Sequence, residues 1–121
     1  MVTVAEIIKI QDGSTDVLPI NMESIPGYLK FPDGTLIQWG KAGGYAGSNT
    51  ATTKVTLPLP YLNYGSYMAY ATGTLGGTDY GNYEIICVTR IDTKDVFYVH
   101  QRNTTSNYLN TFFWLTIGRW K

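Results

Sequence analysis

Cysteine and histidine are almost missing from this chain of 121 residues, with Cys87 and His100 the single example of each. One cysteine excludes an intrachain disulfide framework, and two soft ligands cannot complete a four-ligand zinc site within one chain. Cys87, between Ile86 and Val88, reads as a small apolar residue on a strand. Charge is scarce too: 15% of residues are charged, and nine basic residues balance nine acidic ones. A domain that neutralises phosphate needs a basic face. Nucleic acid and anionic membrane are therefore set aside as partners, and any binding is expected to be nearly insensitive to salt. No apolar run approaches the roughly 20 residues of a membrane helix, so no membrane insertion is expected. Residues 1–10 lack the basic and then apolar pattern of a secretory signal.

Catalytic patterns are missing as well. There is no Gly-x-Ser-x-Gly, no phosphate-binding loop and no dinucleotide fingerprint. Glycosidase chemistry needs two carboxylates facing one bond. The acids beyond residue 27 are Asp33, Asp79, Glu84, Asp92 and Asp95. Asp92 and Asp95 flank a turn, where solvated charge is ordinary, and Asp79 and Glu84 flank a tyrosine-bearing loop. The expectation is a protein that is no enzyme and carries no cofactor.

What is plentiful is tyrosine and glycine, with 10 and 13 residues. Tyrosine offers a flat apolar face with a polar tip, which suits sugars and protein partners, and it is also at home in strands. The most patterned stretch is GYLKFPDGTLIQWG, residues 27–40. It reads as a hairpin: a short apolar strand, a Pro-Asp-Gly turn, then alternation that puts Thr35, Ile37 and Trp39 on one face and Leu36 and Gln38 on the other. Ile37 and Trp39 are expected to anchor it in the core or at a subunit contact. KAGGYAGSNTATT reads as a loop. KVTLPLPY alternates, with Val55, Leu57, Leu59 and Tyr61 on one face and Pro58 and Pro60 on the other, as at a strand edge or end. SYMAYATGT, YEIICVTR, DVFYVHQ and TFFWLTIGRW read as further strands. About seven short strands with turn signals between them indicate an all-β fold, a compact antiparallel β-sandwich or barrel, over residues 27–121. Residues 1–26 read as a lead-in segment of limited regular structure, with residues 12–16 a turn or loop.

The last strand is apolar on both faces: Phe113, Leu115 and Ile117 on one, Phe112, Trp114, Thr116 and Trp120 on the other. An ordinary sandwich strand keeps one wet face, so a neighbouring subunit is the simplest cover for the second, and Trp114 is expected at that contact. The hairpin block, the Leu-Pro strand and the closing FFWLTIGRW together resemble the C-terminal domain of bacteriophage tail-fibre proteins of the gp53-like type. The likeness rests on Gly27, Tyr28, Phe31, Pro32, Gly34, Ile37, Gln38, Trp39 and Gly40, and on Trp114, Ile117 and Gly118. It implies a β-sandwich tip on a homotrimeric fibre, with residues 1–26 as the junction to the upstream shaft. It implies a virion component made in the bacterial cytoplasm, with a non-enzymatic role in attachment to a bacterial cell-surface receptor, carbohydrate or protein. The alternative is a structural cap that sets trimer register and binds no receptor.

Ring-bearing loops with neighbouring Asn and Asp offer stacking and hydrogen bonding together, the needs of carbohydrate recognition. The candidate receptor-binding residues are Tyr45, Tyr64, Asp79, Tyr80, Arg102 and Tyr108. His100 is a candidate metal ligand only where three copies meet on a trimer axis.

Overall fold

A computed structural model of the protein describes residues 16–17, 26–44, 46–73 and 84–121. Eight strands are present among them: β1 (Asp16–Val17), β2 (Gly27–Lys30), β3 (Thr35–Ala42), β4 (Thr50–Thr56), β5 (Tyr67–Gly73), β6 (Ile85–Ile91), β7 (Val96–Asn103) and β8 (Phe112–Arg119). They form two sheets, ordered β1-β2-β3-β8-β5 and β4-β7-β6. Every pairing is antiparallel. The two-layer, all-β architecture expected from the alternation is what the chain forms, with no helix among the described residues.

Several boundaries differ from the sequence reading, among them the end of the KVTLPLPY strand, which stops at Thr56. Asp16, read as loop, pairs with Lys30 at the sheet edge. β3 runs on through Lys41 and Ala42, both read as loop, because Phe113 and Phe112 of β8 lie opposite them. β4 begins at Thr50, inside the polar run read as loop. Its threonines are β-branched and suit a pleated surface, and β7 supplies them with a full set of partners.

Between the sheets lie Leu36, Val55, Leu57, Tyr61, Tyr67, Phe97, Val99, Phe112 and Trp114. Phe97 meets Trp114 edge to face at 5.7 Å, and Tyr61 stacks on Tyr67 at 4.4 Å. The tyrosine hydroxyls are satisfied rather than stranded. Tyr61 Oη pairs with Thr116 Oγ1 at 2.7 Å, and Tyr67 Oη donates to the Thr93 carbonyl at 2.8 Å. Burial holds both phenols above their ordinary value, Tyr67 at about 12.

Of the two places expected for Ile37 and Trp39, the core between the sheets is not the one they occupy. The core side of the hairpin carries Leu36 and Gln38, both fully buried. Trp39 and Ile37 face the outside of the five-stranded sheet, so Trp39 is not an inter-sheet residue. The reason is an amide pairing. Leu59 lies between Pro58 and Pro60, which have no N–H to offer a ladder, and it stands beyond the end of β4 with no strand paired to it. Gln38 accepts from Leu59 N at 2.9 Å and donates to Leu59 O at 3.0 Å, standing in for a strand. Trp39 is still only 6% exposed. Its indole lies across Gly27, where any Cβ would collide with the ring.

The turn at residues 32–34 needs Gly34, whose φ is 102°. Asp33 Oδ1 accepts from Thr35 N at 2.8 Å, and this bond holds its carboxyl below the usual range. Arg119 and Trp120 tie the turn down, donating to the carbonyls of Asp33 and Phe31 at 2.6 and 2.8 Å.

Candidate binding surfaces

The register sorts the molecule into two ends. At one lie the turns at 32–34, 62–66 and 92–95. At the other lie the last residues of β3, β5 and β7, the first residues of β4, β6 and β8, and the 104–111 loop.

The candidate residues divide between them. Tyr64 sits at the first end and is 69% exposed. Its turn is held by Asn63 and Ser66: Asn63 Oδ1 accepts from Gly65 N at 2.9 Å, and Ser66 Oγ donates to Asn63 O at 2.8 Å. Tyr108 and Arg102 sit at the opposite end, so the structure does not bring Tyr64 together with them. Tyr45, Asp79 and Tyr80 lie outside the described residues.

The 104–111 loop has an organiser that the sequence reading missed. Asn103 is 1% exposed. Its Oδ1 accepts from Thr105 N and Ser106 N at 2.9 and 3.1 Å, and its Nδ2 donates to Tyr108 O at 2.7 Å. Gln101, also buried, donates to Asn110 O at 3.0 Å. Tyr108 is half-buried and its hydroxyl accepts from Asn110 Nδ2 at 3.4 Å. An Asn followed by Thr-Thr-Ser is a local turn signal, which marks Asn103 after the fact.

The outer face of the five-stranded sheet is apolar across its width. Opposed rows place Leu29, Ile37, Ile117 and Met68 side by side, then Gly27, Trp39, Leu115 and Tyr70. Met68, Tyr70, Leu115 and Ile117 are 55%, 50%, 42% and 39% exposed. A shallow cleft of about 200 Å³ opens among Trp39, Tyr70, Phe113 and Leu115. The second apolar face expected of the last strand is therefore present, but its members are Phe113, Leu115 and Ile117. Trp114 is an inter-sheet core residue of its own chain, 4% exposed. The Trp39 indole N–H is buried and has no hydrogen-bond partner among the described residues.

The sequence and the fold are similar to those of known proteins. Residues 30–119 match the family described as tail fiber protein gp53-like, C-terminal. The chain belongs to the gp53-like tail-fibre C-terminal family. Solved structures agree on the fold of this gp53-like domain. An N-truncated R2-type pyocin tail fiber matches with a TM-score of 0.59 and 20% identity, over 92% of this chain and 41% of that one. An N-truncated R1-type pyocin tail fiber matches with a TM-score of 0.59 and 13% identity, over 95% of each chain. A C-terminal piece of the P. aeruginosa R1 pyocin fiber matches with a TM-score of 0.60 and 11% identity, over 97% of this chain and 31% of that one. The gp53-like chain thus spans about two fifths of the R2-type structure and nearly all of the shorter R1-type one. No curated protein matches the sequence.

The other sheet is different in character. On the outer face of β4-β7-β6, His100 Nδ1 meets Thr52 Oγ1 at 2.9 Å. Arg90 lies over the Tyr98 ring at 4.6 Å. Arg102, Lys54, Ile86 and Val88 are exposed there as well. Scattered through the sequence, the cations gave no sign of a basic cluster; the strand register collects them. Among the described residues no three His, Cys, Asp or Glu side chains gather as metal ligands within the chain. Cys87 is half-buried on β6, and burial pushes its thiol up, away from the reactive thiolate.

Proposed function

We propose that this gp53-like domain is the distal, non-enzymatic tip of a virion tail fibre, assembled as a homotrimer on an upstream shaft and used to attach to a bacterial surface receptor. The observation that carries the assembly is the aromatic and aliphatic outer face of the five-stranded sheet. Contiguous exposed apolar surface on a small domain marks an interaction site. A second copy is the occupant that suits a repeating fibre, since the same face of each subunit turns toward its neighbours around a closed axis. Side chains of a neighbour would fill the cleft beside Trp39 and supply an acceptor for its indole N–H. Family membership and the fibre fold of the pyocin structures support the same reading.

In this packing the five-stranded sheets face the axis. His100, on the opposite sheet, then lies away from it, and a three-histidine metal site on the axis has no place. The receptor would meet the surfaces left outside, including the 104–111 loop and the end of β7.

Sedimentation of the purified chain at low micromolar concentration tests the assembly, with a trimer mass expected and a clean monomer overturning it. Binding of the same sample to a panel of bacterial strains tests attachment. A stable trimer that binds none of them would instead be a structural cap.

A further inference from the structure

We infer that the outer face of the β4-β7-β6 sheet is a binding surface for an anionic polysaccharide, one bearing carboxylate or phosphate groups along its length. The inference rests on the attachment role proposed above and names the receptor chemistry.

The argument starts from charge distribution. The chain as a whole is neutral. Yet β4, β6 and β7 read TATTKVT, IICVTRI and VFYVHQRN, without one Asp or Glu. Their cations are Lys54, Arg90 and Arg102, with His100 between them. Antiparallel register places Lys54, Tyr98 and Arg90 in one row, Thr52, His100 and Val88 in the next, and Thr50, Arg102 and Ile86 in the third. Directly opposed residues share a face, so all three cations point the same way, and all three are exposed.

Among the described residues, the carboxylates that flank β6 and β7 are already engaged, Asp95 by the Thr93 hydroxyl at 2.9 Å. Asp92 pairs with Arg90 at 3.3 Å, and Glu84 accepts from Thr104 Oγ1 at 2.8 Å. The Asp92–Arg90 pair is largely solvated and costs little to open.

Spacing selects the class of ligand. Lys54 and Arg90 lie on either side of β7, about 10 Å apart at the backbone, and Arg102 lies about 13 Å along the strand from their row. No single small anion reaches all three. A polymer with repeated charges does. Among the cations stand the hydroxyls of Thr50 and Thr52 and the apolar side chains of Ile86 and Val88. That mixture suits sugar hydroxyls and C–H faces. Single-stranded nucleic acid is disfavoured: it stacks on open aromatic faces, and Tyr98, the one Phe, Tyr or Trp side chain on the outer face of these three strands, lies under Arg90.

The test uses the assembled protein and four immobilised probes: polygalacturonate for carboxylate, phosphomannan for phosphate, dextran as a neutral polysaccharide and oligo-deoxythymidine as a different polyanion. One of the two anionic polysaccharides is expected to bind, and dextran is not. Three contacted cations should weaken that binding roughly tenfold between about 50 and 200 mM salt. The Lys54→Ala/Arg102→Ala double variant is expected to lose about tenfold in affinity or more with an unchanged melting curve, whereas Lys121→Ala, off this face, changes nothing. Charge reversal in Arg102→Glu should abolish binding.

Failure of both anionic polysaccharides to bind overturns the inference. So does equal retention of dextran or of the oligonucleotide, or a double variant that binds like the parent. Bacterial attachment undiminished in the double variant also overturns it, and leaves the attachment role standing. A parent protein that binds polysaccharide but no bacterial strain overturns the attachment role instead.

Discussion

The two sheets present opposite exteriors from one core. Outside β2-β3-β8-β5 lie Ile37, Trp39, Met68, Tyr70, Phe113, Leu115 and Ile117, with Lys41 at the margin. Outside β4-β7-β6 lie threonines, Tyr98, His100 and three cations, with Ile86 and Val88 as isolated apolar residues among them. Both sheets alternate with period two, and both bury one side. What separates them is the outward register, since residues that need not pack against the core are free to encode what the surface meets. An apolar exterior is costly to leave in water, at about 25 cal/mol per Å². A charged and hydroxylated one is not, and it stays available for a soluble partner.

The largest effect should come from what the two faces share. Phe97→Ala removes a fully buried ring wedged against Trp114. A loss of about 3–5 kcal/mol is expected, visible as a large drop in the denaturant midpoint. Trp114→Ala should cost a similar amount, and the cost should persist at every protein concentration because the ring packs within its own chain.

The sharpest test of the contrast is a matched pair of substitutions. Leu115→Asp on the apolar exterior should weaken assembly about a hundredfold or more, roughly 3 kcal/mol, while the circular dichroism of the dissociated chain stays β. Val88→Asp, more exposed and on the other sheet, should leave the sedimentation profile alone. If Val88→Asp dissociates the protein and Leu115→Asp does not, the roles of the two exteriors are exchanged.

How far the chain could be read in advance follows the same division. Alternation in KVTLPLPY and in the last strand placed Val55, Leu57, Tyr61 and Phe112 correctly relative to their neighbours, because a period of two is local. Which face of β3 turns inward was not local. Hydrophobicity favours Trp39 over Gln38 for the core. The answer depends on a proline-flanked carbonyl and amide 21 residues away. The basic surface was illegible for a related reason. Lys54, Arg90 and Arg102 look like isolated charges until pairing aligns them. Of the candidate site residues, Tyr64 and Tyr108 proved to be on loops as expected, but at opposite ends.

Smaller predictions refine this picture. Gln38→Leu keeps the volume but leaves the Leu59 N–H and C=O without partners, and should cost about 2 kcal/mol in a urea melt. Tyr67 gives a pH signature. Its phenol is neutral in both states below pH 10, and the unfolded chain ionises near about 10 while the folded one holds its proton to about 12. Stability should therefore fall as pH rises through that window and be flat below it. Tyr67→Phe should lessen the alkaline fall, leaving the part due to Tyr61, while losing about 1 kcal/mol at neutral pH, with its bonds to the Thr93 and Val96 carbonyls gone. Least of all, Asp92→Asn breaks only the solvated pair with Arg90 and should shift stability by less than about 0.5 kcal/mol.

The position of β8 has a further consequence, for the birth of the protein. It follows β3 and β5 in the chain, yet it lies between them in the sheet. On the ribosome, both of those strands are made long before their shared partner emerges, each with an open backbone edge toward its neighbour. The β4-β7-β6 layer has all its strands earlier and can zip first, though it too lacks a floor until Phe112 and Trp114 arrive. Contacts this distant in sequence are slow to form, and open edges invite pairing with other chains. A chain cut short before residue 112 would not lose a strand at the margin. It would lose the staple that joins the two halves of the sheet, and leave two sticky edges in its place.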